Sequence, residues 1–253
     1  MKTDNLRFRV QPGGVLKGDI RVPGDKSISH RAIIFGSLAQ GVTEVSGFLD
    51  GLDCLATRDA FRAMGVKIEG PSDGRLTIHG VGLEGLQAPA QVLDVGNSGT
   101  SMRLLAGLLS AQPFDSVLVG DASLMRRPMR RVIEPLTQMG AHIEASASGT
   151  APLRIRGGQP LRGIDYVLPV ASAQVKSALL LAGLYAQGET AIHEPAPSRD
   201  HTERMLQGLG YPLTVAEGVV RIAGNASLRS GRIEVPGDLS SAAFFLIGAS
   251  IAA

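Results

Sequence analysis

The chain has 253 residues, of which 44% are hydrophobic, and its formal net charge is +2. This length and apolar content suffice for one or two domains with a buried core. The basic residues form no block interleaved with aromatic residues, which argues against nucleic acid as a partner, and the longest apolar stretch, 242–253, is shorter than the roughly 20 residues that a membrane helix needs.

The first predicted helix follows an extended segment at residues 20–25 and begins near Ser27. Its apolar residues recur at helical spacing as far as about residue 39, and Gly41 then ends the pattern. The pattern therefore predicts an amphipathic or buried helix directly after an extended segment.

The rest of the first unit alternates between strands and a helix. Residues 43–48 have the alternation of a strand, and Asp53 is expected to cap a second helix. Residues 66–69 and 76–79 are expected to pair as a hairpin, because turn-forming residues separate them.

This arrangement repeats along the chain. The helix-opening pattern occurs at Gly24-Asp25-Lys26-Ser27, Gly96-Asn97-Ser98-Gly99, Ala171-Ser172-Ala173-Gln174 and Gly237-Asp238-Leu239-Ser240. Each opening precedes an apolar run, and the first three copies continue to a second helix and a two-stranded pattern. The period is about 70 residues, longer than a typical solenoid repeat. The sequence therefore predicts an α/β fold of repeated βαβαββ units, three complete and a fourth begun.

The repeats also suggest where domains begin and end. We expect one complete domain at residues 24–235, while 1–23 form strands of a second, incomplete domain and 236–253 form its truncated start. Residues 20–25 closely match 233–238, which suggests two extended segments that cross between the domains. One alternative is a single compact domain with a trailing helix. A Rossmann fold is disfavoured, because a hairpin closes every unit.

The first helix opening carries groups that suit an anion. The first-turn amides of a helix are unpaired and bear a partial positive charge. Lys26 and Ser27 stand at this opening, and Arg31 lies four residues after Ser27 on the same helix face. An ammonium, a hydroxyl and a guanidinium together suit a phosphorylated, hydroxylated ligand. The alternative is that Ser27 only caps the helix and both cations are solvated.

The later openings have the same character. Gly99 lets a ligand approach the backbone closely, beside Thr100, although a plain turn is the alternative. The third opening offers polar side chains at Ser172 and Gln174, whereas Arg127 belongs to a group of four arginines that is either an anion site or a solvated face. Further candidates are Arg199 and His201, of which we interpret His201 as structural.

Several function classes lack their motifs here. The sequence shows no nucleophile elbow, Walker loop, metal-ligand cluster or convincing general acid–base pair, so we interpret the chain as one built to hold anions. The single Cys54 cannot form an internal disulfide and is expected to be a packing residue, which fits a reducing cytoplasm.

Five motifs in order resemble the 5-enolpyruvylshikimate-3-phosphate synthase family, and they span essentially the whole chain. They are Gly24-Asp25-Lys26-Ser27-Ile28-Ser29-His30-Arg31, Gly96-Asn97-Ser98-Gly99-Thr100-Ser101-Met102-Arg103, Arg127-Pro128-Met129, Ser172-Ala173-Gln174 and Arg199-Asp200-His201-Thr202-Glu203. The resemblance is to the subgroup called class II. It implies an inside-out α/β barrel of two similar domains, with helix N-termini facing the cleft between them. It also implies transfer of the enolpyruvyl group of phosphoenolpyruvate to the 5-hydroxyl of shikimate 3-phosphate, which releases phosphate without a cofactor.

The resemblance further implies roles for ten positions. Lys26 would contact both substrates and act in catalysis, and Gln174 would also touch both. Shikimate 3-phosphate would be held by Lys26, Ser27, Arg31, Ser172, Ala173, Gln174 and Arg199. The phosphoenolpyruvate side would be lined by Lys26, Gly99, Thr100, Arg127 and Gln174.

The sequence departs from the family in three respects. Leu104 stands where many members have Pro, and Gly99 stands where class II members often have Ala. The C-terminal half, which in the family supplies the proton-transfer acids, is absent from the chain. We therefore expect the chain to carry a half-site that needs the missing half as its partner and is inactive alone. We expect the complete protein to be a monomer.

One alternative function stays open, a stand-alone module that binds a phosphorylated metabolite without catalysis. The related UDP-N-acetylglucosamine enolpyruvyl transferase is disfavoured, because it has Lys-Asn where this chain has Lys26-Ser27 and a reactive cysteine loop where this chain has 124–128.

Overall fold

The computed structural model describes residues 9, 11, 16–224 and 226–251. The strands predicted at 1–23 therefore lie largely outside the described residues, and the described stretch 16–23 contains no strand. The boundaries predicted for the two domains stay predictions.

Seven helices and thirteen strands are present in the described part of the chain. The helices are α1 (Lys26–Leu38), α2 (Leu52–Ala63), α3 (Gly99–Leu109), α4 (Arg130–Gln138), α5 (Ala173–Gly183), α6 (His201–Gly208) and α7 (Leu239–Ile251). The strands are β1 (Ala39–Ser46), β2 (Lys67–Ser72), β3 (Arg75–Val81), β4 (Leu93–Asp94), β5 (Ser116–Val119), β6 (His142–Glu144), β7 (Leu153–Arg156), β8 (Asp165–Val167), β9 (Glu189–His193), β10 (Leu213–Ala216), β11 (Val219–Ala223), β12 (Leu228–Arg229) and β13 (Arg232–Glu234). These bounds confirm the four predicted helix openings and the hairpins at the end of each of the first three units.

The second and third units build the same four-stranded sheet. Their strand orders are β4-β5-β7-β6 and β8-β9-β11-β10. In each, the first two strands are parallel, since α3 or α5 connects them, and the remaining pairs are antiparallel. The predicted βαβαββ unit is thus confirmed for both.

The parallel edge strands of the first unit's sheet, β12 and β13, come from a much later part of the chain. This sheet has the order β12-β1-β3-β2, with β13 also paired to β1. Ala39 pairs with Leu228 and Glu44 with Arg232, both in parallel register. The segment before α1 is not in this sheet. Residues 228–234, which follow the third unit, pair with β1 instead, so the chain links three equivalent sheets in a ring.

Helices α1, α3 and α5 are buried over most of their length. Gly107 of α3 lies against the backbone of Ala178 of α5, where an added Cβ would stand 2.1 Å from the Ala178 carbonyl oxygen. Strands alternate buried and exposed residues, as in Leu153–Arg156, so each sheet turns one face to the helices and the other outward.

Two extended segments run side by side where the chain enters and leaves this ring. Gly24 bridges Gly237 in antiparallel fashion. The Asp25 amide donates to the Pro236 carbonyl at 2.8 Å, and the Asp238 amide donates to the Pro23 carbonyl at 2.9 Å. The two copies of the repeated segment are therefore held together directly before α1 and α7.

Helix α7 differs from the inner helices because none of its described residues is buried. Phe244 is 81% exposed and Ile251 is 78% exposed. No helix among the described residues is both long enough and apolar enough to span a membrane.

Candidate active site

The opening of α1 places Lys26 at the surface beside α2. Asp25 caps the helix, because its carboxylate accepts a hydrogen bond from the Ile28 amide at 2.8 Å. The Lys26 ammonium pairs with the Asp53 carboxylate across the two helices. The prediction that Asp53 caps α2 is wrong: Gly51 is the cap residue, and Asp53 in the first turn faces Lys26 instead.

Arg31 joins three helix openings through its guanidinium group. Its Nε donates to Thr202 Oγ1 and its Nη2 donates to Ser177 Oγ, both at 2.6 Å, while Nη1 donates to Ser27 Oγ at 2.6 Å. Burial lowers the pKa of Arg31 to about 10, although the negative charge of Glu203 opposes this shift. Arg31 therefore holds the Ser27 hydroxyl in place from beneath the site.

The start of α6 lies next to Ser27. His201 Nδ1 lies 3.2 Å from Ser27 Oγ, and burial lowers the pKa of the His201 imidazole. Arg199, which is exposed, precedes this helix, and its charge contributes to the lowered pKa values of both His201 and Arg31. Arg199 therefore lies at the same end of the helices as Ser27.

The opening of α3 is surrounded by arginine side chains. Ser98 caps this helix by accepting a hydrogen bond from the Ser101 amide at 3.1 Å. Gly99 has no Cβ, and one added there would stand 2.8 Å from Arg103 Nη1 and 3.2 Å from Arg127 Nη1. Arg127 also donates to the Asn97 side-chain oxygen. The glycine thus leaves room for two guanidinium groups beside the helix N-terminus.

Gln174 connects this opening with that of α5. Its amide Nε2 donates to Thr100 Oγ1 at 3.0 Å, and its Oε1 accepts from Arg103 Nη1 at 3.0 Å. Ser172 caps α5, with its hydroxyl 3.4 Å from the Val175 amide nitrogen, and Ala173 is the first helical residue. Two helix N-termini therefore share one side-chain bridge.

The charge balance of this region favours an anion. Burial, followed by the positive charges of Arg131 and Arg127, lowers the pKa of Arg103. Within the described part of the chain, neither Arg103 nor Arg127 forms an ion pair with a carboxylate. Converging helix N-termini and unneutralised guanidinium groups are the features that bind phosphate and carboxylate groups.

A buried hydroxyl network lies behind the openings of α1, α2 and α3. His30 Nδ1 lies 2.7 Å from Thr57 Oγ1, Thr57 Oγ1 lies 2.6 Å from Ser101 Oγ, and Ser101 Oγ lies 2.6 Å from Ser98 Oγ. Burial is the main cause that lowers the pKa of His30 to about 3, so its imidazole is neutral. The network fixes the Ser98 cap relative to α1.

The structure thus links Ser27 and Arg31 of α1 to α5 and α6, and Gln174 of α5 to Thr100 of α3. Within the described part of the chain, the Lys26 side chain bonds to Asp53 and to none of the other predicted site residues. Sequence reasoning missed Asp53 as the Lys26 partner, and Arg103 as the Gln174 partner. Arg103 stands four residues after Gly99, on the same helix face, and this spacing was the available signal. Nothing in the sequence alone could have paired Lys26 with Asp53.

Other features of the surface do not compete with this site. A cavity of about 730 Å³ lies beside Leu38 and Leu184, at the C-terminal ends of α1 and α5 and away from their openings. It lacks helix N-termini, so we favour the helix openings as the ligand site. No cluster of three or more potential metal-ligating side chains occurs among the residues that the structure describes.

Comparisons with known proteins agree with this architecture. Residues 10–253 match the family model for EPSP synthase (3-phosphoshikimate 1-carboxyvinyltransferase). The chain is 68% identical to the 3-phosphoshikimate 1-carboxyvinyltransferase of Alkalilimnicola ehrlichii over 98% of its own length and 55% of that protein. It is 66% identical to the protein of the same name from Methylococcus capsulatus, over 99% of the chain and 57% of that protein.

A solved structure supports the fold directly. EPSP synthase from Acinetobacter baumannii superimposes with a TM-score of 0.89 at 59% identity, covering 93% of this chain and 53% of that one. The chain therefore spans about half the length of the relatives that it matches.

Proposed function

The chain belongs to the EPSP synthase family, and from this membership we propose that it contributes to transfer of the enolpyruvyl group of phosphoenolpyruvate to the 5-hydroxyl of shikimate 3-phosphate, with release of phosphate. This reaction belongs to the shikimate pathway of aromatic amino acid biosynthesis. Both substrates are small anions, which suits a site made of helix N-termini and cations.

We assign the shikimate 3-phosphate side to the openings of α1, α5 and α6. The residues are Lys26, Ser27, Arg31, Ser172, Ala173, Gln174 and Arg199. Lys26 and Arg199 are exposed and can reach a bound anion, whereas the buried Arg31 orients Ser27 and uses most of its donors within the protein. The hydroxyl and amide groups would recognise the sugar-like ring.

The phosphoenolpyruvate side would be formed by Lys26, Gly99, Thr100, Arg127 and Gln174. Arg127 and the α3 N-terminus would hold the carboxylate or phosphate, because both offer donors without a competing counter-ion. Lys26 would stabilise charge that develops between the two substrates, which is an electrostatic contribution to catalysis.

One observation carries this proposal: Gln174 bridges Thr100 and Arg103, while Arg31 ties Ser27 to α5 and α6. These bonds tie together four helix openings that are far apart in sequence and that carry residues assigned to the two substrates. Holding two reactants in fixed orientation is a large part of catalysis for such transfers.

We also propose that the partner of this half-site is the further sequence that its relatives possess. No general acid or base is assigned among the residues named here, so the proton transfers would depend on that further sequence, and we propose no metal or organic cofactor. The complete protein would be a monomer in the cytoplasm, a location that fits the buried, unpaired Cys54.

The site assignment is tested by titrating the 253-residue chain with shikimate 3-phosphate in a calorimeter. We expect Lys26→Ala to weaken binding by about 1.5–3 kcal/mol, because a charge-assisted contact is lost. The matched control is Lys67→Ala, which removes an exposed lysine paired with Glu69 and should leave affinity unchanged.

Two outcomes would contradict the assignment. Loss of thermal stability with unchanged affinity would make Lys26 structural. Tight binding of shikimate 3-phosphate with no activity after the remaining sequence of a relative is supplied would favour a binding module without catalysis.

A further inference from the structure

Lys176 carries a positive charge into the protein interior beneath the site. Its side chain is 1% exposed, and its ammonium lies 2.7 Å from Glu194 Oε2 and 2.5 Å from Glu203 Oε1. Lys176 belongs to α5, Glu203 belongs to α6, and Glu194 directly follows β9. The three side chains, which we call the ion cluster, therefore connect three elements of the third unit.

Glu194 extends this cluster to the segment that carries Arg199. Ser198 Oγ donates to Glu194 Oε1, the carboxylate oxygen that Lys176 leaves available. Within the described chain, this is the one hydrogen bond made by residues 195–199. Pro195 and Pro197 have no backbone N–H, so the segment cannot be held as part of a sheet.

Glu203 faces the site from the other end of the cluster. Its side chain is 3% exposed, and its Oε2 has no hydrogen-bond partner among the described residues. Glu203 is near enough to the buried Arg31 for its charge to act on that guanidinium. The two buried cations, Lys176 and Arg31, are therefore balanced in formal charge by Glu194 and Glu203. The exposed Arg199 forms none of the ion pairs found in the described part of the chain, so it is available to a ligand.

We propose that Lys176, Glu194 and Glu203 are positioning residues that fix Arg199 beside the openings of α5 and α6. The proposal rests on the proposed function, since it assumes that Arg199 binds shikimate 3-phosphate. Lys176 holds Glu194, Glu194 holds Ser198, and Ser198 precedes Arg199. Glu203 fixes the start of α6, which follows Arg199 after one residue.

A role in stability alone is a weaker explanation of this cluster. Burying charges removes them from water, and well-packed apolar residues often stabilise a core as much or more. A buried ion cluster is therefore better explained where it defines the geometry of something nearby. Arg199 is the neighbouring group that needs defined geometry, because residues 195–198 on its N-terminal side make no other hydrogen bond within the described part of the chain.

The test uses Glu194→Gln in the 253-residue chain, with Glu189→Gln as the matched control. Glu189 begins β9, the strand that ends directly before Glu194, and it pairs at the surface with Arg221. A glutamine has one side-chain oxygen, so it cannot accept from both Lys176 and Ser198 as the two oxygens of Glu194 do. We therefore expect the affinity for shikimate 3-phosphate to fall about tenfold, as the loss of one charge-assisted contact implies. The control should retain the original affinity.

A second measurement is independent of any substrate. Nitrogen-15 relaxation of the unliganded chain should show the order parameters of the Ser198 and Arg199 amides falling from about 0.85 towards 0.6 or below in Glu194→Gln, and not in Glu189→Gln. Ser198→Ala should give the same loss of order and affinity while leaving the Lys176 pairs intact. This milder variant keeps the test decisive if Glu194→Gln fails to fold.

The outcomes separate the two proposals. Unchanged order parameters, or unchanged affinity, in a folded variant that has lost the Ser198–Glu194 bond would overturn the positioning role. If the unaltered chain does not bind shikimate 3-phosphate, the substrate assignment fails, and the order parameters alone decide whether the cluster holds the Arg199 segment.

Discussion

His30 carries a titratable ring into the centre of the protein, between the openings of α1, α2 and α3. Its side chain is fully buried, and its Nε2 has no partner among the described residues, while Nδ1 meets the hydroxyl network. A proton on this ring would be poorly solvated, and the nearby charge of Lys26 would repel it. The protonation state of His30 is therefore coupled to the geometry of the site.

We predict that this histidine makes the protein less stable in acid. The pKa of His30 is about 3 in the folded chain, whereas the ordinary value for a histidine is 6.5. Between these pH values the unfolded state therefore binds a proton that the folded state does not. The free energy of unfolding should then fall as the pH falls from 6.5 towards 3, by up to about 1.4 kcal/mol per pH unit from this group. Urea unfolding at several pH values should show a shallower fall for His30→Asn. His142→Gln, at an exposed histidine, should keep the original slope, and equal slopes for all three proteins would refute the prediction.

Gly99 provides the second residue-scale prediction. A methyl group there would meet the ends of Arg103 and Arg127, which are flexible side chains that can move aside. We expect the Gly99→Ala protein to fold normally, but the added methyl group should displace Arg103 from Gln174. Binding of phosphoenolpyruvate to the complete enzyme should then weaken by about 1.5–3 kcal/mol. Steady-state kinetics would show a raised KM for phosphoenolpyruvate. An unchanged KM would mean that these guanidinium groups do not contact that substrate.

At the scale of elements, the site depends on how closely the inner helices approach one another. Gly107 of α3 touches the backbone of Ala178 of α5, two turns beyond the openings that Gln174 bridges. A side chain at Gly107 would separate the helices, because the obstacle is a carbonyl oxygen in a rigid helix and not a flexible side chain. The distance between the two helix openings is thus set partly by a glycine remote from the ligand site.

We predict that Gly107→Ala destabilises the fold by about 1–3 kcal/mol, as overpacking of a core does. Gly208→Ala is the matched control, since Gly208 ends α6 and an added Cβ there meets nothing within 4 Å. The control should be neutral or more stable by about 0.4–1 kcal/mol. Denaturant midpoints would measure both, and a stabilised Gly107→Ala protein would contradict the close helix contact.

At the scale of the whole molecule, the most conspicuous exposed apolar element is α7. The helix has apolar residues on every side and no buried residue, and beside it Leu16 and Ile20 are also exposed. An apolar surface of this kind marks an interaction site in a folded protein. Its position directly after the paired extended segments at Gly24 and Gly237 fits the proposal that further sequence packs on it.

We therefore predict that the 253-residue chain self-associates in water. Phe244→Glu should reduce the association, because it places a charge on the apolar helix, whereas Leu52→Glu should not, since Leu52 is an exposed residue of α2 outside this surface. Sedimentation velocity at increasing protein concentration would measure the effect. A chain that stays monomeric at every concentration would show that α7 does not mediate self-association.

The sequence by itself determined the repeated unit, the helix openings and the family. These features are local: caps, first-turn amides and apolar spacing act over a few residues, and the Gly24–Arg31 and Gly96–Arg103 motifs each lie within eight consecutive positions. The inner helices and hairpins could therefore be predicted, with boundaries only slightly shifted.

Only the tertiary structure decided which distant groups meet. The parallel partner of β1 comes from residues near 230, Arg31 contacts Thr202, and Asp53 pairs with Lys26 although its position suggested a cap. No local pattern encodes these contacts, because they arise when separate repeats close into a ring and bring chain segments together. The same closure turns Lys176, Glu194 and Glu203 from three ordinary charged residues into one buried cluster beneath the site.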